Sequence, residues 1–146
     1  MTAIKGERER EPGVGCGAAV VADGLILLVK RRRAPEAGSW NLFGGKVGLF
    51  ERVEDAILRE TKEETGVLIR LTRFLQLTQM ISQDGQHWVS PVWLAVPVGG
   101  EARPPDHSPG VEPAKAEAVA WHRLDAPPGP LAQAAREAIA ELSVRR

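Results

Sequence analysis

The chain is 146 residues long, carries 19 acidic and 19 basic side chains, and contains a single cysteine, Cys16, which excludes an internal disulfide. This length suits one domain with its own core, and the balanced charge argues against a stable nucleic-acid partner or a charged membrane surface. No apolar run approaches the roughly 18 residues of a membrane-spanning helix, and the first residues are charged where a signal peptide would be apolar, so we expect a cytoplasmic protein.

The first part of the chain predicts a leader and a hairpin. Residues 1–12 are polar and of mixed charge, so we expect a flexible leader to a single domain over residues 13–146. Two apolar runs follow, from Val14 to Val21 and from Leu25 to Val29, and the Asp23-Gly24 turn signal lies between them. Such a pattern is typical of a β-hairpin.

The middle of the chain predicts a helix and a second hairpin. Proline and glycine in residues 31–39 indicate a loop, and residues 40–47 read as a short extended segment that leads into a helix over about residues 52–65. Strand-like runs follow at residues 67–80 and 88–96, with a turn signal between them.

The last part of the chain completes an α/β fold. Residues 97–113 are rich in proline and glycine and predict a long irregular loop, and residues 117–124 read as a final strand. An apolar stripe with helical spacing then runs through residues 131–142. These elements suit an α/β/α sandwich in which a mixed sheet lies between the helix at residues 52–65 and the C-terminal helix.

The predicted central helix places carboxylates on the same face as its apolar residues. The apolar residues are Val53, Ala56 and Ile57, and the carboxylates that extend their face are Glu60, Glu63 and Glu64. Carboxylates turned toward a protein surface repel one another unless they share a proton or bind a cation. Mg²⁺ is the leading candidate because it prefers oxygen ligands and is usually bound together with substrate phosphates.

Arg59 and Glu51 fit the same interpretation. Arg59 lies one turn before Glu63, and its planar fork of five donors can tie Glu51 to the acidic cluster. The role expected for Arg59 is therefore to orient the carboxylates. Gly66 follows the last turn, where a left-handed residue commonly ends a helix.

These residues together resemble the Nudix box. Gly45 is followed after five residues by Glu51, and after seven more by Arg59 and the run RETKEETGV, which ends at Val67. The resemblance implies the α/β/α fold over about residues 13–142, hydrolysis of a nucleoside diphosphate linked to a further moiety, and a metal contact from the Gly44 carbonyl.

Three positions depart from the family pattern. Thr61 stands where relatives prefer an aliphatic residue, Phe43 where they often have proline, and Gly48 where they often have a further glutamate. The buried hydroxyl of Thr61 would need a partner, whereas the other two changes lead us to expect activity with an altered metal dependence.

The resemblance also yields a mechanism. Mg²⁺, with Mn²⁺ as an alternative, is expected to be held by Glu60, Glu63, Glu64 and the Gly44 carbonyl, and to acidify a water that attacks phosphorus. Glu60 is our choice for accepting the proton from that water.

Candidates for substrate binding lie outside the box. Arg31 resembles a strand-end arginine of triphosphate-cleaving relatives, and Glu112 lies in a Glu-Pro segment similar to one in MutT-like enzymes. Phe43 could stack on a base, although most buried aromatic residues are simply part of the core. Gly15 and Gly17 either let a base or ribose approach the sheet closely or only serve strand packing.

Three functions remain open from the sequence. The leading substrates are nucleoside triphosphates, ordinary or oxidised, cleaved to a monophosphate and pyrophosphate. ADP-ribose or a nucleotide sugar is the alternative, but relatives that cleave ADP-ribose tend to have a proline where this chain reads Ile81-Ser82-Gln83. A catalytically weak nucleotide-sensing module is the third. The partner is in each case a small nucleotide, and the oligomeric state is open, with a homodimer as one option.

Overall fold

A computed structural model describes residues 11–33, 36–102 and 116–144 of the chain. Most of the predicted leader, Glu112 and much of the predicted loop over residues 97–113 lie outside these described residues.

The described elements follow the predicted order. The strands are β1 (Gly13–Ala22), β2 (Leu25–Arg31), β3 (Trp40–Asn41), β4 (Phe43–Lys46), β5 (Leu68–Ile81), β6 (His87–Gly99) and β7 (Ala116–Arg123), and the helices are α1 (Val53–Thr65) and α2 (Gln133–Val144). Both predicted hairpins are present, because β1 pairs antiparallel with β2 and β5 pairs antiparallel with β6. Neither described helix has the length and apolar content that crossing a membrane requires.

The sheet is mixed, as predicted, and it splits at its centre. β1 runs parallel to β6, whereas the other pairings are antiparallel. The ladder between β1 and β2 comprises only the pairs Val21 with Ile26 and Ala22 with Leu25. Beyond these pairs β1 turns to β4, and β2 turns to β3 and β7. The two halves of the sheet therefore separate from each other and leave a wedge between them.

The predicted extended segment over residues 40–47 is two strands with different partners. β3 pairs with β2 on one side of the wedge, and β4 pairs with β1 on the other, with Leu42 between them. This segment therefore bridges the two halves of the sheet just before the central helix. β4 is held along its full length, since each of its residues pairs with a residue of β1.

Alternating side chains build one core on each face of the sheet. Along β2, Leu27 and Val29 pack in the cluster that contains Ala56 and Ile57 of α1. Ile26 and Leu28 point the other way and pack in the cluster that contains Ala135, Ala138 and Ile139 of α2. Full burial of each such aliphatic side chain contributes about 1.5–3 kcal/mol. The predicted α/β/α sandwich is confirmed.

Helix α1 ends as the sequence predicts. Gly66 adopts a left-handed conformation with φ of 78°, and its N–H donates to the carbonyl oxygen of Lys62. The hydroxyl of Thr65 donates to the Thr61 carbonyl oxygen at 2.7 Å and accepts from the N–H of Val67 at 3.0 Å. These bonds satisfy backbone groups at the helix end and fix the direction in which the chain leaves it.

Candidate active site

Arg59 is the centre of a carboxylate cluster formed by α1 and the residues just before it. Its Nε and Nη2 donate to the two carboxylate oxygens of Glu51, each at 2.8 Å. Its Nη1 donates to Glu60 at 2.8 Å and to Glu63 at 3.3 Å, and Nη2 also donates to the carbonyl oxygen of Lys46 at 3.3 Å. The structure thus brings together four of the five residues predicted to be catalytic, through the arginine that the sequence suggested would orient them.

The Arg59–Glu51 contact keeps both groups charged. The hydrogen bonds from Arg59, followed by that from the Gly48 N–H at 3.0 Å, lower the pKa of Glu51 from 4.5 to about 2. Hydrogen bonds to Glu51 and then to Glu60 raise the pKa of Arg59. Because Glu51 is used in this pairing, its place in the site is that of a support for Arg59.

Gly44 and Gly45 of β4 each allow a close approach, and Gly45 allows that of the Glu60 carboxylate. The Glu60 side chain is only 13% exposed, and it lies so close to β4 that a Cβ on Gly45 would be 2.5 Å from its carboxyl carbon. A Cβ on Gly44 would collide with the carbonyl oxygen of Cys16 on the neighbouring strand. Both positions therefore require glycine for close approach: Gly45 allows Glu60 to lie against the backbone of β4, and Gly44 allows β4 to lie against β1.

Glu63 and Glu64 differ in surroundings. The Glu63 side chain is 58% exposed, whereas Glu64 lines a cavity beside α1. Within the described residues, no three His, Cys, Asp or Glu side chains already converge on one point as a complete metal cage. The donor set nonetheless fits a hard divalent cation, since the carboxylates of the last turns of α1 and the carbonyls of a side-chain-free Gly-Gly segment are all oxygen ligands. The predicted grouping of Glu60, Glu63, Glu64 and Gly44 as metal ligands stays a prediction.

A cavity of about 460 Å³ occupies the wedge between the two halves of the sheet. Its lining includes Gly44, Gly45 and Glu64 from the box region. It also includes Trp88 and Ser90 from β6. A cavity of this volume is in the range of sites that take small organic ligands, and it adjoins the carboxylate cluster at Gly45, against which Glu60 lies.

The residues predicted to bind substrate have different placements. Arg31 ends β2 and lines the cavity, together with Arg33, which the sequence analysis left unassigned. Phe43 also borders the cavity, but its side chain is fully buried in the cluster with α1, a position that favours a core role. Glu112 lies outside the described residues.

Several cavity residues were not found from the sequence. Asn41 lines the cavity with a buried side-chain oxygen that accepts no hydrogen bond within the described residues. Glu36 lines it too, and its carboxylate accepts from the N–H of Gln133 at the start of α2 at 2.9 Å. Trp88 and Ser90 face it from β6. The only sequence signal for the last pair was the alternation of glycines on the neighbouring strand β1.

Comparison with known proteins adds a family assignment. The family model described as NUDIX domain matches residues 10–142. An ADP-ribose pyrophosphatase of Methanocaldococcus jannaschii is 34% identical over 102 residues, which are 69% of this chain and 60% of that protein. An oxidized purine nucleoside triphosphate hydrolase of Danio rerio is 46% identical over 50 residues, 34% of this chain and 32% of that protein. This chain therefore spans less than two thirds of the length of both relatives.

A solved structure is similar over a larger part of this chain than either of these relatives. The crystal structure of a MutT NUDIX hydrolase from Burkholderia pseudomallei has 47% sequence identity and a TM-score of 0.81, covering 90% of this chain and 98% of that one.

Proposed function

Because this chain belongs to the Nudix hydrolase family, we propose that it is a metal-dependent pyrophosphohydrolase that cleaves nucleoside triphosphates, ordinary or oxidised, to a monophosphate and pyrophosphate. The observation that carries the proposal is the Arg59-centred carboxylate cluster beside a cavity that Glu64, Gly44 and Arg31 line. Carboxylates can bind a divalent cation and a nearby arginine can bind phosphate oxygens, so both groups at one cavity suit a polyphosphate that is bound together with a metal ion.

The metal site comes from the box. Glu60, Glu63, Glu64 and the Gly44 carbonyl would hold a divalent cation, for which Mg²⁺ is the proposed identity and Mn²⁺ the alternative. Such an ion, when bound, polarises the phosphate and lowers the pKa of a coordinated water.

The chain's own residues supply positioning and proton transfer. Arg59, fixed by both oxygens of Glu51, holds Glu60 and Glu63 in place. Glu60 accepts a proton from the attacking water while the oxygen of that water forms a bond to phosphorus. The anhydride bond breaks at the same time, and pyrophosphate leaves. Arg31 binds phosphate oxygens from the opposite wall of the wedge, where a guanidinium can make two parallel hydrogen bonds.

The choice of triphosphate rests on the comparisons and on the sequence. The solved structure that covers 90% of this chain is that of a MutT NUDIX hydrolase, and the Danio rerio relative is named for an oxidised purine triphosphate. ADP-ribose is the second candidate substrate, because the relative aligned over the longest stretch among those described above is named an ADP-ribose pyrophosphatase.

A substrate panel tests the proposal. The purified protein is incubated with Mg²⁺ and, separately, with ordinary triphosphates, 8-oxo-dGTP, ADP-ribose and a UDP-sugar, and the products are resolved by mass. Monophosphate with pyrophosphate supports the proposal, whereas ribose 5-phosphate from ADP-ribose with no triphosphate cleavage transfers the assignment to the second candidate. If nucleotides raise the melting temperature but nothing is cleaved, even at alkaline pH or with Mn²⁺, the chain is a sensing module.

The matched control is Glu60→Gln. This variant keeps the shape of the side chain and its contact with Arg59 but removes the negative charge and most of the basicity. Turnover that survives in Glu60→Gln at the wild-type rate would remove Glu60 from the chemistry.

A further inference from the structure

Gly15 and Gly17 of β1 line the cavity, and Gly13 continues the same stripe of glycines beneath Trp88. Gly13, Gly15 and Gly17 alternate along the strand and therefore face the same side of the sheet, which is also the side of α2. A Cβ on Gly13 would lie 2.5 Å from the six-membered ring of Trp88, and a Cβ on Gly15 would collide with the hydroxyl of Ser90. Side chains of β6 thus lean across β1 into space that its glycines leave free.

Trp88 is held in a fixed orientation. Its indole Nε1 donates to the side-chain oxygen of Gln86 at 2.8 Å. The backbone of Gln86 is fixed in turn, because its N–H donates to the Ser82 hydroxyl and its carbonyl oxygen accepts from the Ser82 N–H. With Gly13 beneath the ring, both the position and the plane of the indole are set before any ligand binds. Trp88 therefore offers the cavity a preorganised aromatic surface.

This surface lies on the opposite side of β1 from the Gly-Gly segment. β4 pairs with one edge of β1, matching Gly17 with Gly44, and β6 pairs with the other edge, matching Gly13 with Trp88. Two strand spacings, or about 10 Å, separate β4 from β6 across β1, and Gly44 and Trp88 are also offset by four residues along β1, or about 13 Å. A nucleotide that lies diagonally across this stripe of glycines can place its phosphate chain toward Gly44 and its other end toward Trp88.

The chemistry around Trp88 is neutral. The described residues that β5, β6 and the turn between them contribute to the cavity are all uncharged: Thr78, Met80, Gln86, Trp88, Ser90 and Val92. The charged lining residues belong to β2, the loop after it, β4 and α1. Phosphates are therefore drawn to the part of the cavity between β2, β4 and α1, and a flat, uncharged ring suits the part that β5 and β6 form.

We propose that Trp88, seated over Gly13, is a specificity-determining residue that stacks on the nucleobase of the substrate. This inference rests on the proposed function and names the portion of the substrate that this part of the cavity recognises. Stacking on a π-face is tolerant of base identity, so Trp88 selects for a base over a non-aromatic group and leaves the choice among bases to other residues.

Nucleotide binding without metal tests the proposal independently of turnover. Wild type, Trp88→Leu and Trp88→Phe are titrated calorimetrically with AMP and GMP in the presence of a chelator, and with inorganic tripolyphosphate, which has no base. Loss of a stacked base is expected to weaken nucleotide binding about 10-fold in Trp88→Leu. Trp88→Phe should stay within a few-fold of wild type, and tripolyphosphate binding should not change in either variant.

The chain offers a matched control and a second route to the same effect. Trp93→Leu removes an indole from the same strand but from the opposite face, where Trp93 packs with the α1 cluster and contacts Phe74 edge-on, so it should leave nucleotide affinity unchanged. Gly13→Ala should reproduce Trp88→Leu by displacing the ring, whereas Gly99→Ala, whose Cβ would find ordinary contacts of 3.5 and 3.8 Å with Leu68, should not.

The outcomes separate this inference from the proposed function. Nucleotide affinity that is equal in wild type and Trp88→Leu overturns the inference, as does an equal loss of affinity for tripolyphosphate, which would indicate a general structural defect. If Trp88→Leu does not fold, Trp88→Phe decides: nucleotide should quench wild-type indole fluorescence, and the quenching should be lost in this variant. Binding that depends on Trp88 without any hydrolysis would refute only the proposed function, and hydrolysis with an unchanged KM in Trp88→Leu would refute only the inference.

Discussion

The first prediction concerns Thr61, where the sign of the change in stability depends on whether the hydroxyl is hydrogen-bonded. Its side chain is fully buried in α1, and its hydroxyl makes no hydrogen bond within the described residues. An unpaired buried hydroxyl costs about 1–3 kcal/mol. Valine has nearly the same shape and a similar helix propensity, so Thr61→Val removes this cost without opening a cavity. We expect the free energy of unfolding to rise by about 1–2 kcal/mol, or roughly 2–4 °C in melting temperature for each kcal/mol.

Thr65→Val is the matched control, with the opposite sign. Thr65 lies one turn later on the same helix and is equally buried, but its hydroxyl bonds both the Thr61 carbonyl oxygen and the Val67 N–H. The same substitution there leaves a buried N–H without its partner, which should lower the free energy of unfolding by about 1–3 kcal/mol.

Urea denaturation followed by circular dichroism, at one pH and without ligand, measures both changes. The reasoning is refuted if Thr61→Val lowers the free energy of unfolding by more than about 1 kcal/mol, because the Thr61 hydroxyl would then be paired in solution. It is also refuted if Thr65→Val raises the free energy of unfolding, because the bonds of the Thr65 hydroxyl would then not stabilise the fold.

Three further predictions follow from the charged and titrating groups. Glu63→Gln should lower kcat at least about 100-fold while changing the free energy of unfolding by less than about 1 kcal/mol, since its half-exposed contact with Arg59 is weak; equal kcat in both proteins would remove Glu63 from the site. The lowered pKa of Glu51 stabilises the fold above pH 4.5, and this contribution is lost as the pH falls toward about 2. The stability difference between wild type and Glu51→Gln should therefore shrink over that range, and a pH-independent difference would contradict the assignment. Burial lowers the pKa of His122 below 6.5, so the folded protein favours the neutral imidazole. The unfolded chain takes up the proton more readily, and the free energy of unfolding should therefore fall as the pH drops below 6.5. His122→Phe should flatten that loss in urea titrations at pH 7.5 and 5.5, and an equally steep loss in the variant would assign it to other groups.

The local parts of the site could be read from the sequence because they depend on one helix. Arg59, Glu60 and Glu63 are within one turn of each other, so helical periodicity alone places them together, and Gly66 ends the helix by its own conformational freedom. The apolar run of β2 is continuous, so the sequence indicated a buried strand but not which of its side chains face each helix.

The cavity could not be predicted in this way because its walls meet through distant pairings. The division of residues 40–47 into β3 and β4 is decided by which strand each half pairs with, and no local pattern records that choice. Trp88 reads as one apolar residue of a strand until β6 is placed beside Gly13. Phe43 illustrates the opposite difficulty, since an aromatic residue next to a site motif is equally compatible with a core position, which is where it lies.

The pairing of β2 with β7 has a consequence for the order of assembly. β7 joins the ladder from nearly a hundred positions later in the chain, matching Leu25 with Arg123 and Val29 with Val119. During synthesis, β2 must therefore wait with one edge open until β7 has left the ribosome, although its hairpin with β1 forms early. β7 is synthesised after the acidic helix α1, so we expect the half of the sheet that carries Arg31 to be completed only after that helix is available.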